Sequence, residues 1–151
     1  MRVALVTGGG SGIGRSAALE LNKIDFTVYI VGRREEELIK TSSLATNNNH
    51  KIIPIKTDIT IGSQVIALFD KIKSDHGRID LLFNNAGMGA PRVPIEDLKE
   101  EDWRKTVDVN LTGSFLCSQQ AIKLMKLQSP QGGRIVNNGS CLLYTSPSPR
   151  D

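Results

Sequence analysis

The chain has 151 residues, of which 39% are hydrophobic and 23% charged, and its formal net charge is +3. This length and composition are typical of one globular domain, and the scattered basic residues argue against a nucleic-acid-binding protein. No apolar stretch is long enough to span a bilayer, and two cysteines and two separated histidines predict neither a disulfide framework nor a metal site. Met1 is followed at once by a predicted strand rather than by a secretory leader, which predicts a cytoplasmic protein.

Short apolar runs alternate with helical patterns along the chain. Strands that alternate with helices favour an α/β fold, a doubly wound parallel sheet with helices on both faces. Pro54 cannot donate a hydrogen bond to a neighbouring strand, so the third strand is expected at an edge of the sheet. The strands are predicted at residues 3–7, 26–31, 52–56, 79–83 and 134–137, and the first two helices at 13–23 and 35–47.

Two later helices carry more specific signals. Thr60 is expected to cap the helix on which Val65 and Leu68 lie on one face. The helix before the fifth strand is long, and the spacing of its apolar residues predicts which face packs against the rest of the domain. That face comprises Val107, Leu111, Phe115, Ser118, Ile122 and Met125.

Residues 141–151 differ in character from the rest of the chain. They contain two prolines and show no periodicity, which is typical of a disordered tail. The eleven residues can also be back-translated into the nucleotide sequence of a transposase-type sequencing adapter. We favour this second interpretation. We therefore expect a domain at residues 1–140 and a non-native tail at 141–151 that is not part of the fold.

The first motif that indicates a function is a glycine-rich turn at residues 7–14, Thr-Gly-Gly-Gly-Ser-Gly-Ile-Gly. It lies directly between the first predicted strand and the first predicted helix. Glycines at such a turn allow the backbone to approach a pyrophosphate, and the helix that follows offers free N–H groups. No lysine follows the last glycine, which excludes a P-loop. The alternative is a glycine-rich turn that binds nothing.

Four further motifs follow in order. They are Asp58 after the third strand, Asn84-Asn85-Ala86-Gly87 after the fourth, Asn110 within residues 109–113, and residues 133–137 leading to Gly139-Ser140. Together with the glycine turn they resemble the short-chain dehydrogenase/reductase family over residues 1–140. The resemblance implies an NAD(P)-binding domain of the Rossmann type, truncated after its fifth strand.

The resemblance also implies roles for particular residues. Asp58 would accept a hydrogen bond from the adenine amino group, although it can instead cap the turn before Thr60. Asn85 to Gly87 would line the ribose beside the nicotinamide, or form a turn that fixes the central strand. The residues expected to bind the cofactor are Gly8, Ser11, Gly12, Ile13, Gly14, Arg33, Asp58, Ile59, Asn85, Ala86 and Gly87.

Two residues are expected to be catalytic. Asn110 would hold a water molecule in a proton relay, and Ser140 would donate a hydrogen bond to the substrate carbonyl and stabilise its developing charge. The alternatives are an ordinary helical asparagine and an ordinary serine at the end of a strand. The pair Asn138-Gly139 departs from the Ile-Ser that the family more usually has before this serine, although Gly-Ser is also a variant in the family.

The end of the second strand predicts the choice of cofactor. Enzymes that prefer NAD place an acid there to bind the ribose hydroxyls, whereas an arginine accommodates a 2′-phosphate. This chain has Gly32 in the place of the acid and Arg33 after it, which favours NADP(H) and leaves NAD(H) possible. The alternative is that Arg33 and Arg34 neutralise the acidic run at 35–37.

The function implied is hydride transfer between NADP(H) and a small alcohol or carbonyl substrate. The family's Tyr-x-x-x-Lys is absent, since Tyr29 lies in a strand and Tyr144 is followed by Ser148 where the lysine would be. We therefore expect this chain alone to be inactive and its parent to be an oxidoreductase that forms a homo-oligomer, often through the long helix in this family. The alternatives are a regulatory protein that binds NADP(H) without catalysis and a scaffold that binds no nucleotide.

Overall fold

A computed structural model describes residues 1–140 of the chain, and the expected tail at 141–151 lies outside the described residues. The fold is one parallel sheet of five strands in the order β3-β2-β1-β4-β5, with helices on both faces. The strands are β1 (Arg2–Thr7), β2 (Phe26–Gly32), β3 (Ile52–Lys56), β4 (Leu81–Asn84) and β5 (Arg134–Asn137). The helices are α1 (Gly12–Lys23), α2 (Glu35–Ser43), α3 (Gly62–His76), α4 (Glu100–Val107) and α5 (Gly113–Leu127).

The predicted doubly wound parallel sheet is confirmed, and so is the edge position of the third strand. Strand β3 lies at one edge of the sheet, where Pro54 pairs in register with Ile30 of β2. Strand β5 lies at the other edge of the described sheet and pairs with β4. The strand order reverses between β1 and β4, and the carboxyl ends of these strands face the loops that carry the motifs.

The central strand β1 is buried on both faces and serves two separate cores. Val3 and Leu5 belong to the core that also receives α3 and α5, whereas Ala4 and Val6 belong to the core that receives Ala18 of α1 and Leu38 of α2. This alternation follows from the two-residue period of a strand. Burial on both faces also explains why β1 reads as an uninterrupted apolar run.

The structure corrects two predictions about helix ends. Helix α2 ends at Ser43 rather than near Asn47. Helix α3 begins at Gly62 after Ile61, without a side-chain cap, because the hydroxyl and amide of Thr60 both donate to Asp58 instead. A polar residue near the start of a helix can bond to several neighbouring groups. Here Thr60 bonds to Asp58 in the turn before the helix and does not cap the helix itself.

The predicted packing face of the long helix was largely wrong. Leu111 and Phe115 are 66% and 58% exposed, and Ile122 is also exposed. The buried side consists of Gly113, Cys117, Ala121, Leu124 and Met125, of which Met125 alone belongs to the predicted face. A π-helical segment at Asp108–Thr112 joins α4 to α5. Among residues 1–140, no helix combines the length and the apolar character needed to cross a membrane.

Candidate functional site

A cleft of about 300 Å³ opens at the carboxyl ends of β1, β2 and β4. Parallel α/β sheets commonly bind ligands at this position, where the strand order reverses. Eight of the residues expected to bind a cofactor line the cleft: Gly8, Ser11, Arg33, Asp58, Ile59, Asn85, Ala86 and Gly87. The sequence motifs, which lie far apart in the chain, therefore meet around one opening.

The glycine turn depends on very close approaches between backbone segments. Gly8 has a positive φ of 68°, and its amide donates to the carbonyl of Val31 at 2.8 Å. A Cβ added to Gly14 would lie only 2.3 Å from the carbonyl oxygen of Gly8. Gly14 therefore lets α1 pack directly on the turn, and it is not itself among the residues that line the cleft. Gly12 and the 63% exposed Ile13 are not among them either.

Thr7 joins the glycine turn to the loop after β4. Its hydroxyl oxygen accepts hydrogen bonds from the backbone N–H groups of Asn85 and Ala86, both at 2.9 Å. The side-chain amide of Asn85 donates in return to the carbonyl of Thr7 at 3.0 Å. These contacts fix the two loops relative to each other. Thr7 is missing from the expected site residues because its role depends on a partner 78 positions away.

A second group of amides fixes the end of β5. Asn84 is buried, and its side-chain amide donates to Ser118 of α5 at 3.0 Å and to Asn137 of β5 at 2.9 Å. The side chain of Asn138 donates to the Asn85 carbonyl oxygen at 3.0 Å. Asn138, which looked anomalous in the sequence, therefore has a structural partner. Ser140 follows this anchored segment directly.

Asn110 lies in the π-helical segment and contacts the loop that follows Gly87. Its side-chain oxygen accepts from the Met88 N–H at 2.9 Å, and its amide donates to the Met88 carbonyl at 2.8 Å. A Cβ added to Gly87 would lie 3.1 Å from the same oxygen. Asn110 is thus more than a solvated helical residue, because it connects the long helix to the loop beside the cleft. π-Helical segments often occur at functional sites.

The two arginines after β2 both border the cleft. Arg34 donates to the hydroxyl of Ser11 at 3.2 Å. No hydrogen bond or ion pair to another described residue engages the Arg33 side chain, and neither arginine pairs with the acidic run at 35–37. Glu37 pairs instead with Lys40 at 2.7 Å and with Arg15 at 2.9 Å, and these hydrogen bonds lower the pKa of its carboxyl.

Asp58 lines the cleft and also caps the turn before Thr60, which the sequence had offered as an alternative to a role in binding adenine. One of its carboxylate oxygens accepts from the amide of Thr60 at 3.0 Å and from its hydroxyl at 2.7 Å. Its backbone N–H donates to the side chain of Gln64 at 2.8 Å. Asp58 is therefore held rigidly at the edge of the cleft. Among residues 1–140, no three or more His, Cys, Asp or Glu residues lie together as metal ligands would.

Comparison with known proteins identifies the family. The family model for short chain dehydrogenases matches residues 2–145. The chain belongs to the short-chain dehydrogenase/reductase family. A 3beta-hydroxysteroid dehydrogenase of Mediterraneibacter gnavus is 37% identical to it over 139 residues, which cover 92% of this chain and 49% of that protein.

Solved structures of this family share the fold. NAD⁺-bound xylitol dehydrogenase has a TM-score of 0.88 at 30% identity, over 97% of this chain and 55% of the other. A metagenomic short-chain oxidoreductase in complex with NADP has a TM-score of 0.84 at 27% identity, over 90% and 61%. Members of the family thus bind either nicotinamide cofactor. The chain spans about half the length of the curated relatives it matches.

Proposed function

We propose that the full-length protein transfers a hydride between NADP(H) and a small alcohol or carbonyl substrate. The observation that carries this proposal is the cleft itself, where the glycine turn, the Asn85–Gly87 segment and Arg33 converge. Relatives named as dehydrogenases and reductases support the reaction class. The preference for NADP(H) rests on Arg33, which borders the cleft after Gly32 and has no ion-pair partner among residues 1–140.

The residues around the cleft suit a dinucleotide. The positive φ of Gly8 and the close packing at Gly14 bring bare backbone to the opening, where phosphate oxygens can be bound by N–H groups. We assign the phosphates to Gly8 and Ser11, which line the cleft, and to Gly12, Ile13 and Gly14, which lie behind them at the start of α1. We assign the 2′-phosphate to Arg33. Asp58 and Ile59 would hold the adenine, and Asn85, Ala86 and Gly87 the ribose beside the nicotinamide.

When bound, the nicotinamide nucleotide supplies or accepts the hydride. Ser140 follows the end of β5, which pairs with β4 beside the Asn85–Gly87 loop. We propose that its hydroxyl donates a hydrogen bond to the substrate carbonyl. We propose that Asn110 holds a water molecule of a proton relay. Its hydrogen bonds to the Met88 backbone fix its position beside the cleft. Both proposals place polar groups beside the end of the cleft that contains Gly87.

The 151-residue sequence contains no Tyr-x-x-x-Lys, the motif that the family resemblance implies for general acid–base catalysis of this reaction. We therefore propose that this chain binds NADP(H) without turnover, and that the full-length protein is a cytoplasmic homo-oligomer. The exposed apolar stripe of Leu111, Phe115 and Ile122 supports an oligomer that uses the long helix.

The test is a titration of this chain with NADPH and with NADH, followed by nucleotide fluorescence. We expect tighter binding of NADPH, and about tenfold weaker NADPH binding in Arg33→Gln, because a charge-assisted bond to the 2′-phosphate is lost. Lys126→Gln is the matched control, since it removes one positive charge from the exposed end of α5. It should leave both affinities unchanged.

Turnover is measured on the proposed full-length protein, a longer chain whose sequence includes a Tyr-x-x-x-Lys. Reduction of simple carbonyls by the extended chain, and not by the 151-residue chain, would support the oxidoreductase. NADPH binding without turnover by either chain would favour the regulatory alternative. Failure of both chains to bind either nucleotide would contradict the proposal and favour a scaffold.

A further inference from the structure

Asn138 lies where the end of β5 departs from the pattern that the family more usually has. In the structure its side chain contacts Asn85, which lines the cleft. We infer that Asn138 is a positioning residue that holds the segment leading to Ser140 against the glycine turn. This inference rests on the proposed function and deepens it, because it predicts that one exposed amide supports both nucleotide binding and the placement of Ser140.

Two adjacent asparagine pairs connect β4 to β5. Asn84 donates to Asn137 at 2.9 Å. Asn138 donates to Asn85 at 3.0 Å, and its backbone N–H continues the ladder with a bond to the Asn84 carbonyl at 2.9 Å. Successive residues of extended backbone point to opposite faces of a sheet, so the first pair lies on the side of α5 and the second on the side of the glycine turn. The end of β5 is therefore held on both faces, two residues before Ser140.

Asn85 connects Asn138 to the glycine turn. Its side-chain nitrogen donates to the Thr7 carbonyl at 3.0 Å, while its side-chain oxygen accepts from Asn138 at 3.0 Å. Its backbone N–H donates to the Thr7 hydroxyl at 2.9 Å. The space around this amide is small, since a Cβ added to Gly14 would lie 2.6 Å from the amide nitrogen. A shift of the Asn85 side chain would therefore disturb the turn directly.

The hydrogen bond from Asn138 also fixes which way the Asn85 amide faces. An amide side chain has a donor end and an acceptor end. The donor end of Asn85 faces the Thr7 carbonyl, so its acceptor end faces residue 138. The asparagine at 138 supplies a donor there, whereas the isoleucine that the family more usually has would supply none. This contact is therefore a property of this chain rather than of the usual family pattern.

The part of the cleft that contains Asn85 is the part that we assign to the ribose beside the nicotinamide, which NADPH and NADH share. Contacts that are ordered before a ligand arrives lower the cost of binding it. Asn138 should therefore support the binding of both nucleotides equally and leave the preference between them unchanged. Because it also holds the segment before Ser140, its loss should lower kcat, since a small misplacement of a reacting group slows catalysis.

The binding experiment measures Kd for NADPH and NADH by nucleotide fluorescence in the 151-residue chain. Asn138→Ile removes the donor and introduces the residue that the family more usually has. We expect it to weaken the binding of both nucleotides about twofold to fivefold, as the loss of one hydrogen bond would, with their ratio unchanged. Asn48→Ala is the matched control, because Asn48 is also exposed and lies in the loop after α2, outside the cleft lining. Thermal melts verify that each variant is folded.

Two further variants separate the hydrogen bond from packing. Asn138→Asp keeps the shape of the side chain but places a carboxylate against the Asn85 oxygen, so it should weaken binding at least as much as Asn138→Ile. Asn138→Gln keeps the donor on a longer side chain at an exposed position, so it should restore most of the wild-type affinity. Equal affinities in Asn138→Asp and Asn138→Gln would show that the hydrogen bond is not the cause, and would overturn the inference.

Turnover by the full-length protein tests the link to Ser140. Asn138→Ile should lower kcat about fivefold to tenfold and raise KM for the nucleotide about twofold to fivefold, and Asn138→Gln should restore both. A merely structural role would reduce the folded fraction, which lowers kcat and leaves KM unchanged. Weaker nucleotide binding with an unchanged kcat would overturn the link between Asn138 and Ser140.

The outcomes also separate this inference from the proposed function. If the wild type binds NADPH and Asn138→Ile binds it equally well, the inference about Asn138 is wrong and the proposed function stands. If the wild type binds neither nucleotide, both are overturned. A loss confined to NADPH would overturn the inference alone, because it would place the effect at the 2′-phosphate rather than at the shared ribose.

Discussion

The glycine turn and the long helix both border the candidate site, but they are built in different ways. At the turn, backbone meets backbone, and the added Cβ of Gly14 would lie 2.3 Å from the Gly8 carbonyl oxygen. At the long helix, Gly113 comes closest to a side chain, since its added Cβ would lie 2.6 and 2.7 Å from Cδ1 and Cγ1 of Ile59, and the nearest backbone atom, the Asp108 oxygen, would be 3.4 Å away. A flexible side chain can move aside, whereas a backbone segment held by hydrogen bonds cannot move without disturbing its partners.

This difference indicates which part of the site tolerates change. The turn is fixed by Thr7 and Asn85 to the neighbouring loop, so that one displaced atom affects several contacts. The long helix presents one buried side to the core and leaves Leu111 and Phe115 exposed. We expect substitutions at the turn to affect folding and nucleotide binding together, and substitutions along the helix to have more local effects.

The largest expected effect is that of Gly14→Ala. The new methyl group would collide with the Gly8 carbonyl and with the Asn85 amide, 2.6 Å away. We expect the free energy of unfolding to fall by about 3 kcal/mol, within the upper range for overpacking. Urea denaturation measures this change, and nucleotide titration should show that binding is lost.

Gly113→Ala is the matched comparison, because both glycines lie in helices and both gain the same methyl group. Its cost should be smaller, about 1 to 2 kcal/mol, because the group that must move is the buried Ile59 side chain rather than a backbone segment, and because alanine favours the helix. If the two variants lose the same stability, the contrast between backbone and side-chain contact would be wrong.

The next effect concerns Thr7. Thr7→Val keeps the shape of the side chain but leaves the N–H groups of Asn85 and Ala86 without the acceptor that they have at 2.9 Å. We expect a loss of about 2 kcal/mol in the free energy of unfolding, since each unsatisfied partly buried group costs about 1 kcal/mol or more. Thr7→Ser retains the hydroxyl and should remain within about 1 kcal/mol of the wild type. Similar losses for Val and Ser would show that packing, rather than the hydroxyl, determines the effect.

The sequence predicted most of the fold and eight of the sixteen residues that line the cleft. Strand β3 was predicted with its observed bounds, and Pro54 correctly indicated its edge position. These successes rest on local signals, namely apolar runs, turn residues and the stereochemistry of proline. The convergence of the glycine turn and the Asn85–Gly87 segment also follows from topology, because both come directly after parallel neighbouring strands.

The errors arose where a residue's role depends on distant partners. Thr7 was not predicted as a site residue because its hydrogen-bonding partners lie near residue 85. The face of the long helix was misassigned because apolar residues occur all round it, and large apolar side chains were taken to be the buried ones. The core beneath α5 instead accommodates Cys117 and Ala121, whose small side chains allow the helix to lie close to α3 and the sheet. Periodicity alone cannot tell these two faces apart.

The smallest expected effect sharpens this point about the long helix. Phe115 is 58% exposed, and Phe115→Gln should change the free energy of unfolding of the chain at low protein concentration by less than about 0.5 kcal/mol.

Cys117 is fully buried, and Cys117→Ser should cost about 1 to 2 kcal/mol because it buries a hydroxyl among apolar side chains. Burial also raises the pKa of the Cys117 thiol to about 12, so iodoacetamide should modify this residue slowly in the wild type and in Phe115→Gln. Urea denaturation and peptide-level mass spectrometry measure the two quantities. Rapid modification of Cys117 in the folded wild type, or a greater loss of stability in Phe115→Gln than in Cys117→Ser, would reverse the assignment of the two faces.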